Sequence, residues 1–476
     1  MNRAEMIFFN KECMCNLNFI RTMMVIVGCL VYAIGYYHRN STSVLLIPMA
    51  QTLNVSESKL GVLSSTYFWS YAVIQPFVGS LSDLFDTSYI VSSSLILTSI
   101  GSLGCAFSRN YILTCFLRFL VGFGCGCLYV PICRTYAQWF SPRIFPYIQS
   151  TVVAFGGLGG LLAQGPLGKL KTKESWPIAF YIGSSISFFL SFFTFNFLKG
   201  TPPKEETNES DTKNERKMNF KDSMIQLFSN VKKCVTFRDF WFLSIWKFLT
   251  PSTYSNVSST WGGSYLKNGL HFTQEKSANY ISMTSFAWTV GAPFLSLVSN
   301  WTHTRKWCLF VCTLIATMST FVFSFVIGVV ENSVVNLNAL ILAMLFIFAL
   351  NSGASLTIAA ITYKEMLAKE LVGTLMGCGN FFLMIGTSIE MDVTALVVAK
   401  YEKNSDDSIP LAAFRYGLWL LSGISCGISL VFILLLKDTY KKAIVDSKDE
   451  KKKKEDPNSI ETPMIDDHEN ENHNEI

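Results

Sequence analysis

Ionisable side chains sit inside long apolar runs, among them His38, Arg39, Arg118, Lys247, Glu390 and Asp392. An ionised group in such a run is costly unless it is paired or used. Arg39 lies within the stretch Tyr36, Tyr37, His38, Arg39, Asn40, Ser41. A guanidinium grips a carboxylate or phosphate through two parallel hydrogen bonds, so Arg39 is a candidate anion anchor. Its other reading is structural, as a snorkelling side chain or a donor to backbone carbonyls. Glu390 and Asp392 are two apart and point about 200° away from each other on a helix. At most one of them faces a central cavity squarely, and Glu390, the deeper in its run, is favoured. A carboxylate in a low-dielectric cavity can carry a proton; pairing with a cation such as Arg39 is the competing reading. His38 is a second proton-carrying candidate, set against a neutral, hydrogen-bonded histidine. Arg118 reads first as an interhelical donor. Lys247 is near one end of its run, within reach of the surface by snorkelling.

The elements that must hold these groups are helices in lipid. Half of the chain is hydrophobic and only 15% is charged, well short of the roughly 25% of soluble chains. Charge is concentrated before position 22, in 199–238 and after 436. The runs between are long enough for the ~20 apolar residues that cross a bilayer. They fall at 22–50, 60–84, 89–108, 111–140, 145–169 and 176–198, then at 240–266, 277–301, 307–330, 335–363, 371–399 and 416–436. The fold predicted is an all-α membrane protein of twelve transmembrane helices in two six-helix halves, 22–198 and 238–436. A charged linker, 199–237, joins the halves, with room for an amphipathic helix at 220–231. The segment 437–476 is polar and reads as a disordered tail. Lys and Arg crowd the linker and tail, which puts both termini (1–21 and 437–476) and the linker on the cytoplasmic side. The net charge of +5 is explained by that bias and implies no nucleic-acid partner. The cysteines Cys105, Cys115, Cys308 and Cys426 lie in apolar runs. The C-x-C pairs Cys13/Cys15 and Cys125/Cys127 lack companions at zinc spacing, so neither metal nor cofactor is expected. No phosphate-binding glycine loop or nucleophile triad stands out, so no enzyme is expected. Asn54 begins a glycosylation sequon on a short non-cytoplasmic loop.

The pattern resembles the major facilitator superfamily. Gly79 and Asp83 stand between the second and third spans, where that family has G-x-x-x-D-R-x-G-R-R. Arg118 followed by Gly122, Gly124 and Gly126 is similar to its fourth helix. Gly156 to Gly168, with Pro166, is similar to its fifth. The stretches Ser64 to Pro76 and Trp261 to Leu266 look like bacterial members of poorly defined substrate. Leu84, Asp86, Thr87 and Ser88 depart from the family, whose basic residues there latch the cytoplasmic ends of the helices. In the second half Asn300 is near the Asp position, while Arg305 and Lys306 are kept.

The resemblance implies a secondary transporter in which two pseudo-symmetric halves rock about a midplane site. The substrate expected is a small polar or anionic organic solute of the amino acid, peptide or organic acid class, with proton coupling as an option. Pro251 to Ser259 of the seventh span carries no basic residue, which argues against sugar-phosphate exchange. The substrate-binding candidates are Arg39, Tyr36, Tyr67, Tyr71, Trp261 and Asn380. The coupling or gating candidates are Glu390, Arg118, His38 and Asp83. A monomer in the lipid bilayer is expected, in either the plasma membrane or an organelle membrane. The alternative is a non-transporting sensor or scaffold on the same fold. Topology is open to direct measurement. A cysteine placed at Asp211 should be shielded from impermeant reagents in intact cells that carry the protein at their surface, and labelling there would reverse the assigned orientation.

Overall fold

The computed structural model describes residues 17–140, 144–170, 172, 174–200, 220–327, 337–366, 371–402, 404–405 and 408–440. Most of the expected tail, most of the linker and the Cys13/Cys15 pair lie outside them.

Helices α1 (Leu17–Asn40) and α2 (Thr42–Leu53) together make the first span. Next come α3 (Glu57–Leu84), α4 (Thr87–Phe107), the pair α5 (Tyr111–Gly126) and α6 (Tyr129–Trp139), α7 (Phe145–Gln164) and α8 (Pro177–Phe197). Helix α9 (Phe220–Thr236) follows the linker and leads into α10 (Arg238–Asn256). That seventh span continues through a π-turn at Val257–Trp261, the short α11 (Gly262–Ser264) and a second π-turn at Tyr265–Gly269. The rest are α12 (Gln274–Trp301), α13 (Lys306–Phe321), α14 (Leu337–Ser352) with α15 (Leu356–Met366), α16 (Val372–Val398), and α17 (Leu411–Phe414) leading through a π-turn to α18 (Leu421–Leu435). Ten helical stretches among the described residues are long and apolar enough to cross a membrane. Helix α3 and the seventh span pack among them as the more polar remainder, consistent with twelve spans.

Within the first half α4 packs on α8 and α5, α1 on α7, and α3 on α5; within the second, α10 packs on α16 and α18, and α13 on α18 and α14. The halves meet along two seams, α3 against α16 and α7 against α12. Helix α9 caps the linker end of α3 and α16. Its Ile225 and Phe228 are exposed beside Lys221 and Asp222, as expected of a helix lying at a membrane surface.

The two first-turn loops differ. In the second half Arg305 pairs with Glu365 at 2.9 Å and also donates to Asn300 and Ser299. Thr439 adds a 2.7 Å bond to Glu365, so the start of the tail is tied to the same cluster. In the first half, where basic residues are missing, Asp86 accepts from Ser88 N at 2.9 Å and caps α4. The side chain of Asp83 falls outside the described residues.

At the end remote from α9 the halves close tightly. A Cβ on Gly263 would lie 2.1 Å from Ser43 O, and one on Gly61 would lie 2.6 Å from the Trp261 ring. The Ser43 contact is with backbone and has no side chain to swing away. Gly263→Ala should therefore disfavour this closed end by the ~1–3 kcal/mol of an overpacked site. A cysteine introduced at Ser264 should then react faster with a membrane-impermeant maleimide. Unchanged labelling would show that the close approach is not what holds this end shut.

Candidate functional site

A cavity holding about 110 Å³ of water-accessible space lies between the halves, on the linker side of the closed end. The first half lines it with Tyr32, Tyr36 and Arg39 of α1, Tyr67 and Tyr71 of α3, and Tyr129 of α6. The second half supplies Lys247, Trp288, Thr357, Met376, Asn380 and Met384, among others. Five tyrosines give a wall that is apolar in its rings and polar at its tips.

Arg39 is the last charged residue of α1, and only 8% of it is exposed. Its Nη2 donates to Ser255 Oγ of α10, across the gap between halves. Its guanidinium carbon lies 5.3 Å from the Tyr36 ring centroid and 5.0 Å from that of Phe68. Lys247 is 3% exposed and does not snorkel, because α15 and α16 cover it. Its Nζ donates to Asn380 Oδ1 at 3.0 Å and sits 5.0 Å from the Tyr363 centroid. Among the described residues no carboxylate lies within salt-bridge distance of either cation, and no carboxylate lines the cavity. Tyr254 stacks on Trp288 at 5.2 Å, and Tyr36 approaches the same indole at 6.0 Å, which makes an aromatic shelf under Arg39.

The sequence candidates divide by location. Arg39, Tyr36, Tyr67, Tyr71 and Asn380 line the cavity. Trp261 does not: it is fully buried in the closed end, where Nε1 donates to Met391 O at 3.3 Å. Glu390 points away from the cavity, into the second half. There Ser422 Oγ of α18 donates to its Oε1 at 3.1 Å, and Oε2 has no hydrogen-bond partner. Asp392, on the other face of α16, takes bonds from Ser65 Oγ at 2.6 Å and Trp69 Nε1 at 3.2 Å. It fastens α16 to α3 across the seam. His38 and Arg118 are inside the first half: His38 Nε2 meets Ser187 Oγ at 2.9 Å, and Arg118 Nη1 donates to His38 O at 3.1 Å. Arg118 lies 5.1 Å from the Tyr67 ring centroid, so it backs a cavity residue without entering the cavity.

Just beyond Arg39 a band of neutral groups seals the cavity from the far side. Ser259 Oγ donates to Asn40 Oδ1 at 2.8 Å, and Thr42 Oγ1 donates to Ser259 O at 3.1 Å. Gln164 Nε2 donates to Ser258 O at 2.7 Å while Ser285 Oγ donates to Gln164 Oε1 at 2.7 Å. Both receiving carbonyls belong to the π-turn of the seventh span, where the helix is locally widened. Sequence reasoning missed Lys247 as a cavity residue and missed this band. The run of polar residues Ser252 to Ser259 in the seventh span was the available signal for the band.

Comparison with known proteins agrees with this architecture. A probable sulfoacetate transporter, SauU of Cupriavidus necator, is 23% identical over 298 residues, covering 60% of this chain and 67% of that protein. An uncharacterized transporter of Bacillus subtilis, YybO, is 22% identical over 181 residues, 38% of this chain and 42% of its own length. Among solved structures, a bacterial homologue of the human lysosomal transporter Spinster, inward-facing and unoccupied, superposes with a TM-score of 0.69 at 15% identity, covering 90% of this chain and 98% of that one. The nucleoside transporter NupG gives 0.64 at 13% identity, covering 88% and 100%. The sequence pattern of the Major Facilitator Superfamily matches residues 28–390. With that match and this fold, the chain belongs to the Major Facilitator Superfamily and is an integral, multi-pass membrane transport protein.

Proposed function

We propose that the protein carries a small organic anion across the membrane by alternating access. The observation that carries this reading is Arg39: a buried guanidinium in the cavity wall, met only by a serine hydroxyl and aromatic faces. A group that costs this much to bury is retained where something uses it. An incoming carboxylate or sulfonate supplies the missing counter-charge and fits the planar fork. Of the solutes considered, an organic acid suits the wall best, because the ammonium of an amino acid or peptide finds no carboxylate among the lining residues. The sulfoacetate assigned to the relative SauU is an anion of that kind.

Arg39→Lys should leave membrane expression intact and lower organic-anion uptake by about tenfold or more, since a charge-assisted hydrogen bond contributes ~1.5–3 kcal/mol and an ammonium cannot restore the fork. Normal uptake by that variant would make Arg39 structural. Binding without uptake by the native protein in vesicles would favour a sensor.

Coupling to protons rests on Glu390. Its Oε2 is buried and unpartnered, and its helix α16 lines the cavity on another face. Such a carboxylate must gain a proton or a cation as the helices shift. Glu390→Gln should abolish accumulation driven by a pH gradient and preserve exchange at equal pH. Continued uphill uptake by the variant would remove Glu390 from the coupling step.

A further inference from the structure

We infer that the transported anion bears two negative groups, one held by Arg39 in the first half and the other by Lys247 in the second. The inference rests on the anion reading and deepens it. Lys247 is the second cation of the cavity wall, and like Arg39 it meets only neutral partners: the Asn380 amide oxygen at 3.0 Å and the Tyr363 ring. One of its three N–H donors is spent on Asn380, which fixes the ammonium on the cavity side of α10 and leaves the others for a ligand. Empty, the cavity therefore presents a guanidinium and an amine with no anion from the described residues, and a single negative charge on the solute would leave one of them without a counter-charge.

The two cations differ in kind as well as place. Arg39 offers a planar fork that matches a carboxylate or sulfonate edge-on, whereas Lys247 is a compact point charge. Tyr36, Trp288, Leu356 and Met384 of the lining surround the space with apolar surface, suited to a short carbon skeleton rather than a polyhydroxylated one. The cations ride on α1 and α10, which belong to different halves. A dianion spanning both would tie the halves together, while a monoanion would engage one half and leave the other charge exposed. The substrate class that fits is a short dicarboxylate or sulfonate-carboxylate.

The test uses the full-length protein in proteoliposomes, at a pH where both carboxylates of succinate are ionised. Inhibition of uptake, or thermal stabilisation of the purified protein, is compared for succinate, for its half-amide succinamate and for sulfoacetate. The native protein should prefer succinate over succinamate by at least about tenfold, the smaller end of what pairing a buried charge contributes. Lys247→Gln should collapse that ratio towards one. Asn380→Asp should collapse it too, by giving Lys247 an internal counter-ion while keeping the cation, which separates charge neutralisation from misfolding. Equal affinity of the native protein for succinate and succinamate overturns the two-charge inference and leaves the anion reading standing. So does a ratio that survives both substitutions. Failure of all three probes to bind the native protein overturns the anion reading itself.

Discussion

A positive charge held inside a membrane protein without a negative partner is the constraint around which this molecule is arranged. Arg39 and Lys247 are both buried and both face the same cavity, and among the described residues both are held by neutral or aromatic groups. Aromatic faces and single hydrogen bonds offset part of the desolvation cost, each by a kilocalorie or so. They do not cancel it, and on the proposed reading an incoming anion offsets the rest. The tyrosine-rich lining follows from the same requirement: rings surround the charges with polarisable surface, and hydroxyls remain to orient a ligand.

The closed end obeys the opposite rule. Asn40, Thr42, Gln164, Ser258, Ser259 and Ser285 bind one another across the halves through neutral hydrogen bonds. Each is worth little net, because water replaces it when the halves part. A seal of many weak bonds and close glycine contacts can open and close on a transport timescale, whereas one built of buried ion pairs would leave stranded charges in the open state. Asp392 is the charged exception, satisfied by Ser65 and Trp69 from the opposite half. On the linker side of the second half, Arg305 and Glu365 form an ion pair at 2.9 Å.

The helical class and the six-plus-six layout were readable because hydrocarbon thickness imposes run length and charge cannot enter cheaply. The burial of Arg39 inside the bundle was readable for the same reason, and so was the change at Leu84 to Ser88, where Asp86 caps the next helix. What could not be read was which way a side chain faces. Lys247 is near the start of its span in sequence, and only the packing of α15 and α16 over it turns a snorkelling candidate into a cavity residue. Glu390 is deep in its run yet faces α18 rather than the cavity, while Asp392 faces the seam. Trp261 closes a π-turn, and the widened turn shifts its side chain from where an ideal helical period would place it. Depth along a helix is written in the sequence; azimuth depends on neighbours hundreds of residues away.

On this reading the cavity selects for negative charge. That selectivity is tested most directly by uptake into vesicles of the native protein, using solutes of one shape and three charges: a short carboxylate, its neutral amide and the corresponding amine. Uptake of the carboxylate alone is expected, weakened by rising concentrations of competing anions and untouched by the amide or amine. Equal transport of the amide, or preference for the amine, would contradict it.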